Sequence, residues 1–192
     1  LSVESSTSTK PLLVMKNTTN DAHSAILRFI SDKGAAGGDG DSCGKIEFFG
    51  DDDNQDNIKF AYIEGLVADA SNGDECGALY FYVAENDGNN TTGLKITGTT
   101  TDGHVDVEIG AGDNSVTKVM GHLQFGTTTD DKAMIKFPDN LGDALTFKEG
   151  NNVYLKFDST DSSERIHLIK TTRVNASEKI EFRDTGLFIN SS

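Results

Sequence analysis

Polar and apolar positions alternate along this chain in short bursts, and nowhere do apolar residues return with the three-to-four-residue beat of a helix. In Val105-Asp106-Val107-Glu108-Ile109, period two places Val105, Val107 and Ile109 on one face of a strand, with Asp106 and Glu108 on the other. Farther along, an aliphatic residue, any residue and an apolar residue return every ten to fourteen positions. The triplets are Leu123-Gln124-Phe125, Ile135-Lys136-Phe137, Leu145-Thr146-Phe147, Leu155-Lys156-Phe157, Ile166-His167-Leu168 and Ile180-Glu181-Phe182. Their middle residues, among them Lys136, Thr146, Lys156, His167 and Glu181, are expected to face water.

The first half keeps a slower beat. Asp41-Ser42-Cys43-Gly44-Lys45-Ile46-Glu47-Phe48-Phe49 is answered 33 residues later by Asp74-Glu75-Cys76-Gly77-Ala78-Leu79-Tyr80-Phe81-Tyr82. Between them Phe60–Ala68 is a further strand, and Leu94-Lys95-Ile96 continues the series. Two more strands are predicted ahead of the repeat, at Pro11–Met15 and Ala25–Ile30. Self-similarity of this kind marks a structure built by stacking small units. It divides the chain into a β-repeat region, residues 1–110, with the two 33-residue units at about 34–90, and a short-strand region, residues 111–192.

Composition limits how such units close. Only 35% of the 192 residues are hydrophobic, 20 are glycine and none is tryptophan, so each short strand buries little. Either many strands stack within one chain or several chains associate. The expected class is all-β, as an elongated β-solenoid or an intertwined trimeric β-prism, with a β-sandwich as the ordinary alternative. Drift in the repeat length favours the trimer over a regular single-chain coil.

The net charge of −14 is concentrated in residues 31–90, which hold 14 acidic and 3 basic side chains. That sign repels phosphate backbones and anionic bilayers, so neither nucleic acid nor membrane insertion is expected. No apolar run approaches a membrane span, and no charged-then-apolar leader is present in these residues. Starting at Leu1, the chain is expected to be a processed product or a piece of something longer.

Candidate chemistry is sparse. If the two 33-residue units stack in parallel register, Cys43 and Cys76 lie about 4.8 Å apart at Cα, inside the ~4.4–6.8 Å window of a disulfide. A disulfide and a packed thiol pair are both open. No Cys-x-x-Cys or Cys/His spacing suggests zinc. Gly37-Gly38-Asp39-Gly40-Asp41-Ser42 falls one acid short of a calcium β-roll repeat, and Asp51–Asp56 lacks the sixth-position glycine and, at Tyr62, the twelfth-position glutamate of a calcium loop. Solvated acidic turns are the expectation and no cofactor is required, with calcium at those turns as the lesser alternative. His23, His104, His122 and His167 stand alone, and no serine sits in a nucleophile elbow, so no enzyme is expected. Tyr62, Tyr80, Tyr82 and Tyr154 are candidate glycan platforms, against the competing role of cross-strand packing.

The wording of the repeats also carries a likeness. Ala25-Ile26-Leu27-Arg28-Phe29, Gly34-Ala35-Ala36, Cys43–Phe49, Ala61–Gly65 and Gly77–Phe81, followed by Leu94–Gly98 and Asp102–Val105, resemble shaft modules of tail-fibre and virion appendage proteins of tailed bacteriophages. The likeness is to phages of marine bacteria, including cyanobacteria, and covers about residues 10–110. The resemblance implies a homotrimeric appendage on the virion surface that contacts other virion proteins and attaches, by multivalent display, to a host-surface glycan or protein. A self-assembling extracellular filament and a calcium-dependent surface adhesin are the alternatives.

Overall fold

Eight strands make up the regular structure of the described residues, 2–126 and 133–173 of the computed structural model, and none of those residues is helical. β1 (Ser42–Asp51), β2 (Asn57–Asp69), β3 (Cys76–Ala84), β4 (Asn90–Gly98) and β5 (Val105–Ile109) form one sheet in sequence order. β6 (Leu145–Glu149), β7 (Asn152–Asp158) and β8 (Arg165–Leu168) form a second. Every neighbouring pair is antiparallel. The chain divides between Gly121 and His122, with one sheet in each part. Just past β5 the Gly110 N–H donates to the Gly93 carbonyl of β4 at 2.9 Å, and the loop that follows is closed locally by the Ala111 N–H on Ser115 Oγ at 2.9 Å.

The all-β class therefore holds, and the 33-residue repeat is a hairpin repeat. Its period covers two strands and two turns, so β1 and β3 run the same way with β2 between them. The stacking of matched residues as neighbours is thereby corrected: equivalent residues are two strands apart, at about 10 Å by ordinary strand spacing. Among the described residues no hydrogen-bonded pair of strands is parallel, and neither a solenoid coil nor a prism is formed within them.

Cross-strand register turns the alternation into two unlike faces, since directly paired residues share a side of the sheet. One row runs Ile46, Ile63, Phe81, Leu94, Ile109 across all five strands. The next runs Gly44, Gly65, Leu79, Ile96, Val107. No charged side chain interrupts either row. The second sheet repeats the arrangement: Leu145, Phe157 and Ile166 form one row, and Phe147, Leu155 and Leu168 another. Thr146, Lys156 and His167 form the polar row of that sheet, as the triplets predict. Because successive triplets pair antiparallel, the aliphatic residue of one faces the apolar end of the next.

Among the described residues these apolar rows stay largely uncovered, although Phe29 rests on Gly44 in one of them. Among the described residues no hydrophobic side chain is buried; Ile46 is 43% exposed, Val83 55% and Val107 57%. Each sheet is one layer thick, with half a core on one side.

Four predicted strands do not form. Pro11–Met15, Ala25–Ile30, Leu123–Phe125 and Ile135–Phe137 find no ladder partner among the described residues. Pro138 also removes an N–H next to the last of these, and the Phe137 ring instead leans on Phe157 at 5.4 Å. Ile180–Phe182 lies outside the described residues.

Candidate functional site

The face opposite the apolar rows carries the ordered chemistry of the molecule. There a third row crosses the five strands as Lys45, Glu64, Tyr80, Lys95, Glu108. Lys45 Nζ meets Glu64 Oε1 at 3.0 Å, and Lys95 Nζ meets Glu108 Oε1 at 2.7 Å. Glu47, Tyr62, Tyr82 and Thr92 form the adjacent row, with Lys59 Nζ 3.0 Å from Glu47 Oε1.

The aromatic rings knit the charges together. Tyr62 and Tyr82 stack with centroids 4.1 Å apart and 10° between planes, and Tyr80 tilts against Tyr82 at 5.9 Å. Lys59 Nζ sits 4.7 Å and Lys45 Nζ 5.4 Å from the Tyr62 centroid, while Lys95 Nζ lies 5.7 Å from that of Tyr80. Under this canopy Glu64 is 6% exposed, the one buried residue among those described. Its carboxylate is held by the Lys45 ammonium, as a buried charge requires.

These contacts move proton affinities in a consistent direction. The hydrogen bond to Glu64 raises Lys45 above its ordinary 10.5, and the bond to Glu108 does the same for Lys95. Loss of hydration, followed by the neighbouring Tyr62, raises the Tyr82 hydroxyl above 10.0. The polar face is thus a cohesive ladder of alternating charges and rings.

Of the four candidate platforms, Tyr62, Tyr80 and Tyr82 come together on this face. Tyr154 stands apart on β7, 48% exposed, with its hydroxyl donating to Glu149 Oε2 at 3.0 Å. The rings of Tyr62 and Tyr82 are engaged with each other, and lysines lie over Tyr62 and Tyr80. Cross-strand packing is the role the geometry gives these three.

Cys43 and Cys76 do not form a pair within the chain. Both are free thiols, and β2 separates their strands. Cys76 Sγ points instead at the Thr99 carbonyl, 3.2 Å away. The spacing of the repeat was legible, but its sense was not: an antiparallel return inserts a strand between equivalent positions.

The acidic turns are built by their own carboxylates. Asp52 Oδ1 accepts from the N–H groups of Asn54 and Asp56 at 2.9 Å each, closing the β1–β2 loop. Asp69 accepts from the Ser71 N–H at 2.8 Å, Asp87 from Asn89 at 2.9 Å and Asp158 from Thr160 at 3.0 Å. Donation by the backbone N–H lowers Asp69 and Asp87 below 3.8, and bonding from Thr160, led by its hydroxyl, lowers Asp158. In the Gly37–Ser42 loop, Asp41 accepts from the Gly38 N–H and the Lys33 ammonium, and Asp39 from the Ala70 N–H at 2.8 Å. Among the described residues no three His, Cys, Asp or Glu side chains converge on a common point.

Sequence reasoning did not find the Lys45–Glu64–Tyr80–Lys95–Glu108 row. One signal for it was present: Glu64 is the acid within the otherwise apolar run Phe60–Ala68. In comparisons with family models, with curated proteins and with solved structures, the chain matches none.

Proposed function

We propose that this chain is a non-enzymatic structural protein of a phage virion appendage, working as a homotrimer whose copies turn their apolar rows inward and their charged, tyrosine-bearing rows outward. One observation carries the reading: two sheets each expose a continuous apolar face, and no described hydrophobic residue is buried. A chain without an interior gains its stability from copies of itself. At about 4.8 Å between strands and ~3.3 Å per residue, five strands of roughly nine residues present about 700 Å² of flat face. That is close to the ~800 Å² which each partner gives to a standard interface.

Copies of the same chain suit this face better than a charged partner, because its two central rows hold no charge to be matched. The sequence resemblance to phage shaft modules supports the setting on a virion, in contact with other virion proteins. Attachment follows from repetition: weak contacts with a host-surface glycan or protein, multiplied over copies and fibres, become firm. Tyr154, exposed on the second sheet and not a member of the ladder, is the ring best situated for such a contact.

The test is molecular mass in solution combined with small-angle scattering. An elongated species of three chains is the expected result, and a compact single chain would overturn the reading.

A further inference from the structure

We propose that residues 11–30 lie between copies of this chain, so that their two apolar runs are buried by a neighbouring copy, with Phe29 on Gly44 as the anchor. The inference rests on the self-association reading above and says which segment completes the interface. Its starting point is a close contact. A Cβ built on Gly44 would stand 2.6 Å from Phe29 Cβ and 2.8 Å from its Cγ, so only glycine at position 44 lets the Phe29 side chain rest there. Gly44 belongs to an apolar row, and Phe29 therefore brings the segment onto the face that needs covering.

Beyond that anchor the segment leaves its own sheet unused. Leu12, Leu13, Ile26 and Ile30 are 64%, 80%, 65% and 77% exposed, although an uncovered apolar face belongs to the same chain. The two runs flank a preformed loop. Asn17 Nδ2 donates to the His23 carbonyl at 3.0 Å, the Thr19 N–H to Asn17 Oδ1 at 2.9 Å, and the His23 N–H to Asp21 Oδ1 at 2.9 Å. The result is a bent, apolar arm with a closed tip and no partner strand.

Charge supplies the second argument for a copy as occupant. Residues 1–30 hold Lys10, Lys16 and Arg28 against Glu4 and Asp21, a net of +1, whereas residues 31–90 hold 3 basic and 14 acidic residues, a net of −11. The arm's small positive balance suits a seat beside the acidic loops of another copy.

Photo-crosslinking of the full chain tests this. Benzoylphenylalanine replaces Leu13, and copies carrying light and heavy nitrogen are assembled together. Mixed-isotope cross-links from position 13 to β1–β5 are expected. In a second variant, Gly44→Leu, the blocked seat is expected to raise the concentration at which the assembly dissociates by at least about tenfold and to abolish the cross-link. An assembled protein whose position-13 cross-links are all within one chain overturns this inference and leaves the structural role standing. A single-chain mass for the unmodified protein overturns both. Should Gly44→Leu fail to fold, the isotope pattern of the Leu13 variant still decides.

Discussion

Tyr62 and Tyr82 face each other across β2 and β3, and their rings stack 4.1 Å apart, nearly parallel. The pair binds the two central strands on the side opposite the apolar rows, with lysines along its outer edge. Tyr82→Ala should therefore cost about 1 kcal/mol beyond the area it uncovers. A double-mutant cycle with Tyr62→Ala, read by chemical denaturation, isolates that coupling. Additive single effects would show that the rings merely fill space.

Alkali should weaken this face. Tyr82, Lys45 and Lys95 all have folded-state affinities for protons above their ordinary values of 10.0 and 10.5. Groups raised in this way contribute stability that is complete below the unfolded value and disappears as pH rises through the folded one. Melting temperature should hold steady up to about pH 10 and then decline, and Lys45→Met should flatten part of the decline. An unchanged alkaline slope in Lys45→Met would refute the link to Glu64.

The turns respond at the other end of the scale. Asp69, Asp87 and Asp158 are lowered below 3.8, so their contribution is complete above that value and is lost as pH falls through the depressed folded values. Amide protection factors at Ser71 and Asn89, taken relative to the intrinsic exchange rate at each pH, should fall selectively between pH 5 and strong acid. Asp87→Ala should exchange quickly at Asn89 already at neutral pH, and Asp87→Asn, which keeps the acceptor, should not.

The two faces should differ in what a charge does to the proposed assembly. Ile63 sits within an apolar row between Ile46 and Phe81. A carboxylate there has no partner when the face is covered, so Ile63→Asp is expected to leave a monomeric, poorly structured chain by light scattering. Lys95→Gln, on the opposite face and half-buried beside Glu108, should keep the mass of the parent. Equal behaviour of the two variants would remove the distinction between inner and outer faces.

Period-two patterning made most of the fold legible. Val105, Val107 and Ile109 fall on one face as predicted, and Thr146, Lys156 and His167 line up in one row. Pattern alone could not say whether a strand would find a partner, and Ala25–Ile30, strand-like in composition, pairs with no strand among the described residues. Nor did it reveal direction, and so Cys43 and Cys76 were put side by side when a returning strand keeps them apart. The ladder around Glu64 stayed hidden for a related reason. It depends on which residues of five strands share a row, and only pairing register fixes that.

The single-layer construction has a genetic corollary. When the interior of a protein is shared out among its copies, no copy is sound on its own account, and a damaged one spoils the companions it joins. In the proposed assembly, alleles at Ile63 or Phe81 that still let a chain join but thin its apolar row should therefore behave as dominant in a cell that also makes the intact chain, whereas Ile63→Asp, which does not join, should be recessive. Alleles altered on the tyrosine side should be recessive.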